Sequence, residues 1–480
     1  MLNLHVLEKK LAGLQAETQS LEPQGEALAA LTQKVVDYAH HYLATVDKIK
    51  AYTGQAAPGK RLRNTPFTEE GRTLDELLPV IREDVDTPGI NPASGRHLGY
   101  IPGGGIYPTA LGDYLAAVTN QYSGVYYAGP GAVQLENRVI RWICQIIGFP
   151  ATALGNLTSG GSIANLIAIV TARDAKGVAA AKVEKSCIYL TRQAHHSVHK
   201  AIRIAGLREA KLREIKVDDH FKMDTKALAA QIAEDKANGL NPFLIIASAG
   251  TTDTGTIDPL ARQHNLWFHV DAAYGGFFML IDAVKARFTG IEQADSVTVD
   301  PHKGLFLAYG LGAVIVKDVQ ALRQSHAYQA NYMQDVTEVE AEPSPADLSP
   351  ELTKHFRGLR MWLPLQLFGV RVFRQALEEK MLLCQYFYQK IQALGFEVGP
   401  EPELSVCIYR YTGNVANPNR FNEKLIRAIQ DDGRIFISST TLNGVFWLRL
   451  AVLVFRTHRA VLDELLAILA EKKNTLLQLN

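Results

Sequence analysis

The 480-residue sequence has almost no net charge, with 50 Lys and Arg set against 49 Asp and Glu. A nucleic-acid or anionic-membrane partner requires a concentrated basic stripe, so a balance of +1 argues against both. Cysteine is scarce as well. Cys144, Cys187, Cys384 and Cys407 show no CxxC spacing and lie in apolar contexts such as Trp142-Ile143-Cys144, which reads as buried thiols in a reducing compartment. No run of about 18 apolar residues offers a membrane span. The N-terminal MLNLHVLEKK meets charge within ten residues and has no apolar core or small-residue cleavage site, so a secretory signal is not expected. What remains is a cytoplasmic protein acting on a small molecule.

The composition is 47% hydrophobic and 21% charged, the balance of a soluble globular protein. The length exceeds what a single growing core accommodates, so one large α/β unit with smaller appendages is expected. Residues 1–89 carry helical periodicity, first in Leu2, Leu4, Leu7, Leu11 and Leu14, then in Leu28, Leu31, Val35, Val36 and Tyr38. Such a helical arm is too thin to stand alone and needs the main domain or a partner subunit to cover it. The run from Asp86 to Pro92 (DTPGINP) marks its boundary.

Residues 90–360 alternate helical patterns with short, β-branched, apolar runs at Cys187 to Thr191, Phe243 to Ser248, Leu266 to Asp271, Ser296 to Asp300 and Gly312 to Lys317. This alternation predicts an α/β fold with a mostly parallel sheet covered on both faces. Met333 to Pro350, with its prolines and acidic residues, reads as a long mobile loop of the kind that forms lids. Residues 361–480 read as a small C-terminal α/β domain.

Strand ends carry the chemistry. In open α/β sheets ligands sit at the carboxyl ends of strands. The strand LWFHV delivers Asp271 there, followed by Ala272-Ala273-Tyr274-Gly275-Gly276. A carboxylate so placed can keep a pyridine nitrogen protonated, which makes the ring an electron sink, and Ala273 is small enough for a flat ring to lie against it. An Asp after a strand also serves as a helix N-cap. The next strand ends at Asp300-Pro301-His302-Lys303. Desolvation at such a place lowers a lysine pKa and makes the amine a nucleophile toward an aldehyde; taken alone, Lys303 reads more readily as an ordinary loop lysine, and it is the strand-end spacing from Asp271 that singles it out. In TSGGS, Gly161 and Ser162 open a helix and form a candidate phosphate cradle, although glycine-rich caps are common. The triplet Gly103-Gly104-Gly105 reads as a loop that lines the pocket. His195 and His199 are four apart, as a metal pair would be, but no third ligand is near and no metal is expected. His195 at a strand end suits stacking on a ring, while His196 and His199 read as surface histidines.

Taken together, TSGGSIAN, QAHHS, GTTDTGTID, HVDAAYGG and VDPHKG resemble, in order and spacing, the group II amino acid decarboxylases that depend on pyridoxal 5'-phosphate (PLP). That family includes the aromatic amino acid, histidine and glutamate decarboxylases, and the resemblance covers roughly residues 90 to 460. It implies the type I aminotransferase-like fold and a homodimer with the active site at the subunit interface, the N-terminal arm wrapping the partner. Carried over, Gly161 and Ser162 bind phosphate, His195 stacks on the ring, Thr252 supports Asp271, and Asp271 holds the pyridine nitrogen. Ala273 packs beneath the ring, His302 sits beside the phosphate, and Lys303 forms the Schiff base.

The sequence departs from the family at Ile163, where many relatives carry Glu, and at Gly129-Pro130-Gly131-Ala132. Counted back from Phe356-Arg357 without a gap, Pro345 stands where the aromatic enzymes have a loop tyrosine that donates a proton; His195 or Tyr332 would then serve. The resemblance favours loss of carbon dioxide from an L-amino acid to give the amine. Aromatic substrates are favoured by Tyr100, Tyr126 and Tyr127 near the presumed pocket, though core packing accounts for those tyrosines too. Oxidative decarboxylation to an aldehyde, carbon–carbon lyase chemistry, transamination and a PLP-binding pseudoenzyme remain alternatives.

Overall fold

A computed structural model describes residues 3–54, 59–260, 265–327 and 342–479. The chain separates into two compact units, Met1–Asn91 and Pro92–Asn480. The first is helical: α1 (Leu4–Thr18), α2 (Gly25–Thr45) and α3 (Leu74–Ile81). Thr73 and Glu76 form a reciprocal capping box at the start of α3, satisfying two amides that the first turn leaves without acceptors. No residue of α1 or α2 is buried, and Leu4, Leu7, Leu11 and Leu14 stay exposed.

The second unit begins its core with α4 (Pro130–Ile147), β1 (Leu154–Thr158), α5 (Gly161–Ala175), β2 (Ser186–Thr191), α6 (His196–Ile204) and β3 (Lys211–Ile215). It continues through β4 (Asn241–Ser248), β5 (Trp267–Asp271), β6 (Ser296–Val299) and β7 (Gly312–Val316). These seven strands form one sheet in the order β1-β7-β6-β5-β4-β2-β3. Strands β2 to β6 pair in parallel, whereas β7 runs antiparallel between β6 and β1. The sheet is α/β and mostly parallel, and all five strands expected from sequence are in it. Two more, β1 and β3, were not anticipated. The edge strand β3 reads KLREI and leaves both lysine and leucine exposed, so it lacks the continuous apolar run of a covered strand. In β1, Gly155 lies against Val314 of the neighbouring strand so closely that a Cβ would meet its carbonyl oxygen at 1.9 Å; a glycine there hides a strand from a reading based on propensity.

The C-terminal part comprises α7 (Gly358–Ala393), broken at Gly369, then β8 (Phe396–Val398), β9 (Val406–Tyr411), α8 (Pro418–Asp432), β10 (Phe436–Leu442), β11 (Val445–Ala451) and α9 (Arg459–Gln478). Its four strands are joined by the short strand His97–Leu98 in a five-stranded sheet. That sheet and its helices bury their own apolar cluster around Phe387, Tyr409, Leu425 and Leu465, beside the main core.

The expected long loop is only partly within the described residues, and its end is fixed in place. Pro345–Leu348 form a 3₁₀ turn with Pro345 buried. Asn156 Nδ2 donates to the Pro345 carbonyl at 2.8 Å, and the Ala346 amide donates to Gly124 O at 2.9 Å. Arg141 grips Glu342 with two hydrogen bonds of 2.9 and 2.6 Å. Mobility over this part was inferred from composition, which does not register such anchors.

Candidate active site

The turns that leave β1, β2, β4, β5 and β6 surround a cavity of about 340 Å³. All eight residues expected at a cofactor site line it: Gly161, Ser162, His195, Thr252, Asp271, Ala273, His302 and Lys303. A larger cavity of about 440 Å³, lined by Arg138, Trp142 and Trp362 among others, contains none of them.

Asp271 ends β5 and is 8% exposed. Its Oδ2 accepts from Asn165 Nδ2 at 2.9 Å, and its Oδ1 accepts from the Ala273 amide at 3.1 Å. The support ascribed to Thr252 thus comes from Asn165; the Thr252 carbonyl instead accepts from Arg449 Nε at 2.7 Å. His195 caps α6, its Nδ1 accepting from the Ser197 amide at 3.2 Å. Burial lowers the His195 pKa, against the raising effect of Asp271, so the ring is neutral at pH 7 with its proton on Nε2. His196 and His199 are exposed.

Lys303 departs from expectation in one respect. Its Nζ lies 2.9 Å from Asp300 Oδ2. Burial does pull the Lys303 pKa down, but the charge and hydrogen bond of Asp300, with Asp271 beyond, outweigh it and the net shift is upward. Without cofactor the amine is an ammonium held by Asp300, a residue that the sequence reading passed over. The signal was present in the motif itself, where an acid precedes the lysine by three residues.

His302 Nδ1 donates to the Leu311 carbonyl at 2.5 Å, and burial lowers its pKa. Gly103 packs behind the same turn, where a Cβ would meet the His302 carbonyl oxygen at 2.3 Å. The glycine triplet therefore lines a neighbouring cavity of about 220 Å³ and not the main one. Tyr100, Tyr126 and Tyr127 are also absent from the main cavity wall. Tyr100 is exposed with φ +52°, beside the rings of His97 and Phe436. Pro345 lies outside the wall as well, its carbonyl turned to Asn156. Tyr332 falls outside the described residues.

Whether these residues fit PLP can be judged from the cradle and the donor set. Gly161 begins a 15-residue helix, whose first amides have no intrahelical acceptor and face an anion with the helix dipole behind them. A Cβ at Gly161 would lie 3.0 Å from Asp300 Oδ2 and 3.3 Å from the Ala273 Cβ, so glycine keeps the cradle open beside the floor. An amine, a carboxylate, an aromatic stacking ring and an anion cradle thus converge on one cavity, which fits a flat phosphorylated pyridine aldehyde.

The comparisons with known proteins agree. The pyridoxal-dependent decarboxylase conserved domain matches residues 58–412. The aromatic-L-amino-acid decarboxylase of Bacillus atrophaeus is 33% identical over 417 residues, covering 84% of this chain and 86% of that protein. The phenylacetaldehyde synthase of Petunia hybrida is 27% identical over 450 residues, covering 87% and 88%. Among solved structures, Oryza sativa TDC with PLP and tryptamine superposes with a TM-score of 0.88 at 23% identity, over 95% of this chain and 99% of that one. The chain belongs to the pyridoxal-dependent decarboxylase family. It is an amino acid decarboxylase by class, a carboxy-lyase whose cofactor is PLP.

Proposed function

We propose that the protein decarboxylates an aromatic L-amino acid to the amine and carbon dioxide. The observation that carries the chemistry is the convergence of Lys303, Asp271, His195 and the Gly161–Ser162 cradle on one cavity, and the aromatic substrate is supported by the likeness to the aromatic-L-amino-acid decarboxylase of Bacillus atrophaeus. When bound, PLP supplies an aldehyde that captures amines and a ring that takes up the electron pair left by the departing carboxylate. Lys303 would hold the cofactor through its ε-amino group, and Asp300, 2.9 Å from Nζ, is placed to take the ammonium proton that this requires it to lose. Asp271 would accept a hydrogen bond from the ring nitrogen, and the amides of Gly161 and Ser162 would receive the phosphate, with His302 on the same cavity wall. Ala273 and His195 would hold the ring between them, and the His195 Nε2–H would be free to donate to the substrate carboxylate. Thr252 lines the same cavity. Residues 90–360 then form the cofactor-binding domain, 1–89 the arm and 361–480 the small domain, in a cytoplasmic homodimer.

A second reading, oxidative decarboxylation to an aldehyde, is favoured by one observation. Pro345 is locked away from the cavity, so the chain position counted as equivalent to the proton-donating tyrosine supplies no donor, and one relative is named an aldehyde synthase. Incubating the PLP-loaded protein with a panel of L-amino acids, and measuring carbon dioxide, amine, aldehyde and peroxide together, separates the two. Equal amounts of amine and carbon dioxide from tryptophan, tyrosine or phenylalanine are expected; aldehyde with peroxide would replace the first reading by the second.

A further inference from the structure

Along β5, Trp267, His269 and Asp271 share one face because side chains alternate. All three are buried, at 5%, 0% and 8% exposure. Ser296 lies directly opposite His269 on β6, and α5 crosses this face with Asn165, which is 1% exposed. These side chains form one continuous hydrogen-bonded chain. Trp267 Nε1 is 2.9 Å from Ser296 Oγ, which is 2.9 Å from His269 Nδ1. His269 Nε2 is 3.0 Å from Asn165 Oδ1. Asn165 Nδ2 reaches both Asp271 Oδ2 at 2.9 Å and Ser197 Oγ at 3.2 Å, and Ser197 Oγ is 2.7 Å from His195 Nδ1.

The direction of every bond follows from the ends. An indole N–H only donates, so Ser296 accepts from Trp267. The Asp271 carboxylate only accepts, so Asn165 turns its NH₂ to it and its Oδ1 to His269 Nε2–H, which leaves His269 Nδ1 to accept the Ser296 hydroxyl proton. A neutral imidazole then carries its single hydrogen on Nε2, which donates to Asn165 Oδ1. Burial keeps His269 neutral by lowering its pKa to about 4. The Asn165 NH₂ group is thereby turned toward Asp271 and Ser197, and Ser197, already an acceptor, donates to His195 Nδ1. Two groups of the cavity wall are thus addressed by one amide.

We propose that Asn165 and His269 are positioning residues of this site. Oriented by Ser296 and Trp267, they present Asp271 as an acceptor to the cofactor ring nitrogen and, through the Ser197 hydroxyl, reinforce the His195 tautomer that the Ser197 amide also favours, whose remaining donor is Nε2–H. The inference rests on the reading of Asp271 and His195 given above, and it adds the device that sets both at once. Both positioning residues lie within motifs quoted above, Asn165 closing TSGGSIAN and His269 opening HVDAAYGG, but neither has a role that its own local sequence context assigns.

The test uses protein loaded with PLP labelled with ¹⁵N in the ring, reading the nitrogen chemical shift and the dissociation constant for PLP. Asn165→Leu is expected to weaken PLP binding by about tenfold to a hundredfold, the size of one hydrogen bond to a charged group, and to move the ring nitrogen toward its unprotonated shift. His269→Leu should do the same to a lesser extent, whereas His269→Gln, which keeps a donor toward Asn165, should restore the wild-type shift. A cooperatively melting Asn165→Leu protein with wild-type affinity and nitrogen shift overturns the proposal. If Asn165→Leu does not fold, equal behaviour of His269→Leu and His269→Gln overturns it instead. Asp271→Asn is the control: if it too leaves affinity and shift unchanged, the reading of Asp271 fails and this proposal with it, whereas an altered Asp271→Asn beside an unaltered Asn165→Leu removes the proposal alone.

Discussion

The polar cluster behind Asp271 is built from neutral groups, whereas the one beneath residues 345–357 is built from charges. In the first, an indole, a hydroxyl, an imidazole and an amide pass hydrogen bonds in one direction to a single carboxylate. In the second, Lys354 and Glu136 are in contact with both side chains fully buried, and Lys354 Nζ also donates to Asn156 Oδ1 at 2.7 Å and to the Leu157 carbonyl at 3.2 Å. Arg357 and Glu351 add a two-pronged pair with both bonds at 3.0 Å. A neutral chain keeps its direction at little desolvation cost, so it suits the setting of proton positions. A buried ion pair is tolerated only while both partners are present, so it suits the joining of chain segments, here α4, β1 and the segment that precedes α7.

The largest effect should come from breaking the ionic cluster on one side. Lys354→Met leaves Glu136, whose pKa burial already raises against the pull of Lys354, without its cation. A loss of about 3–5 kcal/mol is expected, measured by denaturant or thermal unfolding. The double variant Lys354→Met/Glu136→Leu should recover most of it, since a matched apolar pair replaces a buried ion pair at little cost. If the double variant is no more stable than the single, the cluster is not a simple pair.

The neutral cluster should show the opposite pattern, function lost with stability kept. Asp271→Asn keeps one acceptor oxygen, so either Asn165 Nδ2 or the Ala273 amide loses its acceptor, and the ring nitrogen is offered no full charge. Turnover should fall on the order of 10²–10³-fold, the range for removing one preorganised electrostatic group, while unfolding stability changes by about 1 kcal/mol. A stability loss as large as that of Lys354→Met with turnover intact would make Asp271 a mere cap.

The same contrast separates what was legible in the sequence from what was not. The turns at strand ends carry their chemistry in contiguous motifs, so Asp271, Lys303, His195 and the Gly161–Ser162 cradle could be named and do converge on one cavity. Covered strands announce themselves by apolar runs, and five of the seven in the large sheet were found that way. Partners distant in the chain were not legible. Asn165 meets Asp271 across 106 positions, and Lys354 meets Glu136 across 218, separations that no local pattern encodes. The sign of the Lys303 shift is hidden for a related reason: desolvation alone lowers the pKa, and the opposing charge of Asp300 reverses the sign.

The smallest effect at neutral pH concerns a third buried polar group, one that belongs to neither cluster. His97 is 2% exposed, and neither of its ring nitrogens has a hydrogen-bond partner among the described residues. Its ring instead meets Phe436 and Tyr100 edge-on, at 5.6 and 6.3 Å between centroids. Burial lowers its pKa from 6.5 to about 4. In the unfolded chain the imidazole takes a proton as the pH falls below 6.5, while the folded protein stays neutral there until about pH 4. The unfolded state therefore binds more protons in that window, and folding stability drops as the pH is lowered through it. His269, also lowered to about 4, adds to the same slope. Replacing His97 by Phe keeps an aromatic ring among its neighbours and removes one titrating group, so the variant should match wild type within about 1 kcal/mol at pH 7.5. Between pH 6.5 and 4 its stability should decline less steeply, by about 1.4 kcal/mol per pH unit for the one proton no longer taken up. Denaturant unfolding of the two proteins across this range makes the comparison, and parallel curves would mean that His97 is not held neutral by its burial.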